Sequence, residues 1–179
     1  MLHAGADLDE PTRLAIAVVQ TALIGPPLSA LYAADAALRA RLFQPAHLDG
    51  ALTRLTRHRG MAPARAVLVH ADRRHESPGE TRTAAILRAL GYRATPQVEL
   101  RRDGKSYWVD FLLEGSPVVI EFDGRVKYVD PAALWAEKRR EDELRSWGYV
   151  VVRLTWGMLD DPERGRDRIE SAVRSVPPG

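Results

Sequence analysis

Residues 106–128, SYWVDFLLEGSPVVIEFDGRVKY, read as two short strands joined at Glu114-Gly115-Ser116-Pro117, a cluster rich in turn formers. A hairpin symmetric about Gly115 and Ser116 sets Leu112 opposite Val119, Asp110 opposite Glu121 and Trp108 opposite Asp123. Side chains alternate between the two faces of a strand, and directly opposed residues share a face. One face is then expected to carry Val109, Phe111, Leu113, Val118, Ile120 and Phe122, all apolar. The other gathers Asp110, Glu121 and Asp123 beside Trp108. Acids are poor strand residues, and opposed like charges destabilise a sheet. Two such carboxylates need a neutralising cation. A divalent metal with hard oxygen ligands supplies one, and arginines pairing with the acids on an exposed face supply another. The residues alone leave both open.

Around this hairpin the order of elements is regular. Gly79–Leu90 predicts a helix stopped by Gly91, with Glu80 in its first turn, where an acid also complements the helix dipole. Ala94–Arg102 predicts a strand, and Asp103-Gly104 the two-residue turn into the hairpin. Asp130-Pro131 starts a charged helix over Ala132–Trp147, and Gly148 ends it. Such a run is ordinarily a solvated face laced with ion pairs, and here it doubles as a basic edge. Tyr149–Thr155 is an apolar strand suited to burial, reached through the crossover helix and so parallel to a neighbour. Pro162–Val176 closes the chain as a helix. The fold class expected is α/β, a mixed sheet of about four strands flanked by helices, with an N-terminal all-α extension.

That extension, residues 1–75, reads as four helices. The first starts at Pro11 after Asp9 and runs to Ile24, where Gly25-Pro26-Pro27 stops it. The second, with Leu28, Leu31, Tyr32, Asp35, Leu38 and Leu42 at helical spacing, runs to about Leu42. Leu48, Leu52 and Leu55 mark a third, and Pro63–His70 a fourth. His47, His58, His70 and His75 lack metal-site spacing and are expected on the surface. No catalytic pattern falls here, so the segment is expected to pack or to face a protein partner.

Composition narrows the class. The 179 residues include no cysteine, which removes disulfides and thiolate metal sites. The acidic start MLHAGADLDE is unlike a signal peptide, and the apolar run Leu14–Ile24 is too short to span a bilayer. A cytoplasmic protein with no membrane partner is expected. Of 26 basic residues only Lys105, Lys127 and Lys138 are lysines. Arginine favours bidentate phosphate contacts, although an alanine- and arginine-rich composition bias gives the same count.

Helix acid, strand Asp, strand Glu-x-acid, crossover helix and buried strand together resemble the PD-(D/E)XK nuclease superfamily. The closer likeness is to its very-short-patch-repair (Vsr) endonuclease-like branch, a bacterial domain of unknown function often joined to an AbiEi-type antitoxin winged helix. The likeness lies in Glu76-Ser77-Pro78-Gly79-Glu80, Trp108-Val109-Asp110-Phe111, Val119-Ile120-Glu121-Phe122-Asp123-Gly124 and Lys138-Arg139-Arg140-Glu141-Asp142 leading to Val151–Trp156. It covers residues 76–179 and implies a restriction-endonuclease-like domain there. It further implies Mg²⁺ or Mn²⁺ held by Asp110, Glu121 and the backbone carbonyl of Phe122, with Glu80 completing the cluster. Arg125, Lys127, Lys138, Arg139 and Arg140 are the implied contacts to DNA. The superfamily's lysine, two residues after the Glu, is Asp123 here. Lys127 is then the candidate to take over its role; failing that, Asp123 is a further ligand or the site is weakly active or inactive. The activity implied is metal-dependent hydrolysis of DNA phosphodiesters. The alternative is a weak or inactive nuclease fold serving as a DNA-binding regulatory module of a toxin–antitoxin or defence system.

Overall fold

A computed structural model describes residues 8–124 and 131–176. The chain divides into two compact units, Met1–Thr81 and Arg82–Gly179.

In the first unit, α1 (Glu10–Ile24), α2 (Pro27–Arg39), α3 (Pro45–Arg54) and α4 (Met61–Leu68) form a bundle. Asp9 caps α1, its carboxylate accepting the Thr12 amide at 3.0 Å. Alanines let the helices approach closely, and Ala15, Val19, Ala30, Ala34, Leu52, Ala64 and Leu68 are buried together. Helix α2 ends earlier than its apolar spacing predicts. Arg41 takes φ 58°, and the Leu42 amide bonds back to the Ala37 carbonyl at 3.0 Å, a Schellman-type end that leaves Leu42 exposed. Gly60 precedes α4 with φ 87°. A Cβ there meets only Leu23 at 3.7 Å, so the cost of Gly60→Ala is conformational. We expect a loss of roughly 1–2 kcal/mol in urea unfolding with the slope unchanged.

His75 departs from the surface position expected of it, being 3% exposed. Its Nδ1 lies 2.7 Å from Asp35 Oδ2, and that oxygen also accepts the Thr81 hydroxyl at 2.7 Å. Asp35 Oδ1 accepts the Asp72 amide at 2.8 Å. Helical periodicity places Asp35 on the inner face of α2, but only its partners explain a buried acid there.

Helix α5 (Pro78–Ala89) crosses the division between the units. The second unit then builds one sheet in the order β1-β2-β3-β4, from Ala94–Arg102, Lys105–Leu113, Val118–Asp123 and Val150–Thr155. The first three strands are antiparallel, and β4 lies parallel to β3 after the crossover helix α6 (Pro131–Ser146). Asp103 (φ 52°) and Gly104 (φ 76°) make the expected two-residue turn. A short α7 (Trp156–Leu159), with no signal of its own in the periodicity, precedes α8 (Pro162–Ser175). This is the mixed four-stranded α/β arrangement with N-terminal helices that the sequence predicts.

The hairpin register agrees with that expected, Leu112 pairing with Val119 and Phe111 with Ile120. The distribution between faces is corrected in two respects. Phe111, Leu113, Val118, Ile120, Val152 and Leu154 pack with Leu87, Leu159 and Ile169. Val109, expected with them, instead joins Val119, Val151 and Leu144 of α6. The face expected to be acidic is therefore apolar over most of its length, and its acids stand at one end. The cause lies at Gln97, which takes φ 52° and is skipped in the β1–β2 ladder opposite Asp110. A ladder broken there lets the two halves of β2 twist apart, so residues two apart reach different clusters.

Candidate active site

Three strands and one helix meet at a pocket of about 160 Å³ lined by Asp110 from β2, Glu121, Phe122 and Asp123 from β3, Arg153 from β4, and Glu137 and Arg140 from α6. The pocket opens where the β2–β3 pairing gives out. The Phe122 amide donates to Asp110 Oδ2 at 2.8 Å, so a side chain takes the place of a strand partner and its carboxylate is fixed against the end of β3.

Glu121 is 8% exposed. Its Oε1 accepts from Arg140 Nη2 at 2.5 Å, and the same nitrogen donates to the Trp108 carbonyl at 2.6 Å. Burial works against the Arg140 charge. The hydrogen bond it donates to Glu121 and the charges of Glu121, Glu137 and Asp110 together outweigh that, and the guanidinium is held more firmly protonated than usual. The guanidinium also stands 5.9 Å above the Tyr107 ring. Arg153, opposite Glu121 in the parallel register, pairs with Glu137 at 2.6 Å and Glu141 at 2.9 Å. Four carboxylates and two guanidiniums thus share one cavity, which makes it strongly polar and leaves charge available to a ligand.

Beside it, Glu143 accepts from Lys105 Nζ and from the Tyr107 hydroxyl, each at 2.5 Å. The hydrogen bond to Glu143 raises the Tyr107 pKa, with burial adding to it. The protonated phenol is the bonded form, so its contribution is full below the ordinary value of about 10 and is lost as pH rises through the higher folded value. An absorbance titration, taken as wild type minus Tyr107→Phe, should show a midpoint above pH ~10. Glu143→Gln should bring it down.

The other sequence-assigned residues fall in different places. Glu80 belongs to the first unit, where its carboxylate accepts the Glu76 amide at 2.9 Å and the Ser77 hydroxyl at 2.8 Å. Ser77 Oγ in turn accepts the Glu80 amide at 3.2 Å, a variant of the capping box at the start of α5. Lys138 and Arg139 are exposed and do not line the pocket, and Lys138 Nζ lies 5.8 Å from the ring centre of Trp135. Arg125 and Lys127 lie outside the described residues. Glu137 and Arg153 were not singled out from the sequence. Glu137 could have been found, since it precedes Arg140 by three residues and so shares its helix face. Arg153 depends on the β3–β4 register, which no local signal gives.

The donor set suits a small hard cation. No three acidic or histidine side chains among the described residues cluster tightly enough to cage an ion. Mg²⁺, however, retains several waters and is commonly held through one or two carboxylates. Asp110 and Glu121 are two carboxylates lining one pocket, and Arg140 supplies the counter-charge to Glu121 in their present arrangement.

No helix among the described residues is long and apolar enough to cross a membrane. No family model matches the chain. Two Mycobacterium tuberculosis proteins, both described as uncharacterized, are similar to it: MT2308 of strain CDC 1551 / Oshkosh and Rv2248 of strain ATCC 25618 / H37Rv. Each is 26% identical over 149 residues, covering 80% of this chain and 53% of the relative. The chain thus spans about half the length of the curated relatives it matches. Among solved structures it is similar to the catalytic domain of the homing endonuclease I-Bth0305I, at 24% identity and a TM-score of 0.43. That match covers 52% of this chain and 91% of the other, a likeness too loose to carry residue roles across.

Proposed function

We propose that this protein is a metal-dependent endonuclease hydrolysing phosphodiester bonds in DNA, with residues 76–179 forming a PD-(D/E)XK domain of the Vsr-like branch. What carries the proposal is the convergence of Asp110 and Glu121, from adjacent strands, on one polar pocket. Asp110, Glu121 and the Phe122 carbonyl would hold Mg²⁺ or Mn²⁺, with Asp123 close by. The ion, when bound, supplies Lewis acidity that lowers the pKa of a water and offsets charge on the phosphate. The chain's own residues prepare that site. The Phe122 amide orients the Asp110 carboxylate, and Arg140 orients Glu121 while keeping a fixed positive charge at the pocket wall. Arg140 is then the cation best placed to meet a backbone phosphate, with Lys138, Arg139, Arg125 and Lys127 as outer contacts. A cytoplasmic setting belongs to the same proposal.

A second reading is a nuclease fold retained as a DNA-binding regulatory module of a toxin–antitoxin or defence system. It is favoured by Asp123 at the superfamily's lysine position and by the Arg140–Glu121 pair, which already neutralises one ligand. Incubating plasmid and oligonucleotide DNA with Mg²⁺ or Mn²⁺ separates the two. The endonuclease cleaves and its Asp110→Ala variant does not, whereas the regulatory module binds DNA in chelator and cleaves nothing.

A further inference from the structure

The net positive charge of this protein falls largely within one segment of the helical unit. Residues 36–71 hold six arginines (39, 41, 54, 57, 59 and 65), no lysine and one acid, Asp49. The segment is therefore +5 in a chain of net charge +2, and the remaining residues sum to −3. Within it, the corner from the end of α3 to the start of α4, residues 53–60, exposes Arg54, Arg57, His58 and Arg59 in succession. No carboxylate among the described residues pairs with these three arginines. Unshared guanidiniums at the surface repel one another, and such an asymmetry points to a polyanionic partner.

The corner is also rigidly built. The His58 amide donates to the Leu55 carbonyl at 2.9 Å and the Met61 amide to the His58 carbonyl at 3.2 Å. Arg65 reaches back from α4 to the Leu52 carbonyl at 2.7 Å. Leu55 and Met61 anchor the turn in the core from either side. Arg54 stands in the last turn of α3, where a cation offsets the helix dipole. That accounts for Arg54 and leaves Arg57 and Arg59, outside any helix, without a structural role.

We propose that the α3–α4 corner is a docking surface for the phosphate backbone of a nucleic-acid duplex. The guanidinium fork suits phosphate oxygens, and its fixed planar geometry means less freedom is lost per hydrogen bond formed. An anionic membrane is the other polyanion of comparable charge. The neighbours on this corner are Thr53, Thr56, Ala62 and Pro63, not the aromatic and leucine side chains that enter a bilayer. The inference goes beyond the nuclease proposal and does not depend on its metal site.

The test uses the full chain in chelator, where no metal-dependent cleavage occurs, with anisotropy of a short fluorescein-labelled duplex read across a salt series. The triple variant Arg54→Gln, Arg57→Gln, Arg59→Gln should weaken binding about tenfold or more and lower the slope of log K against log salt by about 2–3. Vesicles of phosphatidylserine and phosphatidylcholine should not compete for the protein. Unchanged affinity and slope in the variant would overturn the proposal, as would vesicle binding that exceeds duplex binding. Should the triple variant melt early, Arg57→Gln and Arg59→Gln singly take its place, each expected to lower the slope by about 1, and an unchanged slope in both overturns the proposal equally. Absence of cleavage with binding intact counts against the nuclease alone.

Discussion

Asp35→Ala should destabilise the helical unit by about 3–5 kcal/mol, more than any other single polar substitution in it. Asp35 is 2% exposed, accepts from the Asp72 amide and the Thr81 hydroxyl, and stands 2.7 Å from Nδ1 of His75. Removing the carboxylate takes the acceptor from the part-buried Asp72 amide and the polar partner from Nδ1 of His75, and leaves the Thr81 hydroxyl only its longer bond to the Ser77 carbonyl at 3.3 Å. Each buried unsatisfied group costs about 1–3 kcal/mol, and the total is a large share of a typical 5–15 kcal/mol stability. Asp35→Asn should cost less, since it retains one acceptor oxygen. Urea unfolding of the two variants against wild type measures both losses. A loss under about 1 kcal/mol for Asp35→Ala would mean the network is open to water in solution.

The same residue shows where sequence reading runs out. Helical spacing puts Asp35 on the inner face of α2, and breakers and caps fix the limits of most helices and strands to within a residue or two. Those are local signals, and the hairpin register is nearly local, being set by four turn residues. The partners of Asp35 lie 37 to 46 residues away, in a link and a helix start that carry no hydrophobic period. His75 therefore reads as a surface residue. The pocket divides along the same line. Asp110 and Glu121 are legible because one hairpin holds both. Arg153 enters through a parallel pairing set by tertiary packing, and Val109 changes cluster because of backbone at Gln97 that no residue pattern announces.

Asp110→Ala should lower the rate of Mg²⁺- or Mn²⁺-supported DNA cleavage on the order of a thousandfold, equivalent to about 4 kcal/mol of transition-state stabilisation. Alanine also removes the acceptor for the Phe122 amide, so lost activity alone leaves a distorted strand end as an explanation. Asp110→Asn separates the two effects, because its carbonyl oxygen can still accept that amide while the charge is gone. Glu121→Gln does the same for the bond from Arg140, at the cost of the ion pair. Melting with and without Mn²⁺ then reads the ion directly. An ion present at a hundred times its dissociation constant adds about 2.7 kcal/mol, a rise of roughly 5–10 °C for a chain of this size. Wild type should show that rise, and Asp110→Asn and Glu121→Gln should not. Equal shifts in all three would place the ion elsewhere, and cleavage by Asp110→Asn at the wild-type rate would remove Asp110 from the chemistry. Arg140→Gln gives the remaining check. It takes the counter-charge from Glu121, so it should lower stability in chelator and enlarge the rise that Mn²⁺ produces. That opposed pair of results is what a cation and a guanidinium contending for one carboxylate give.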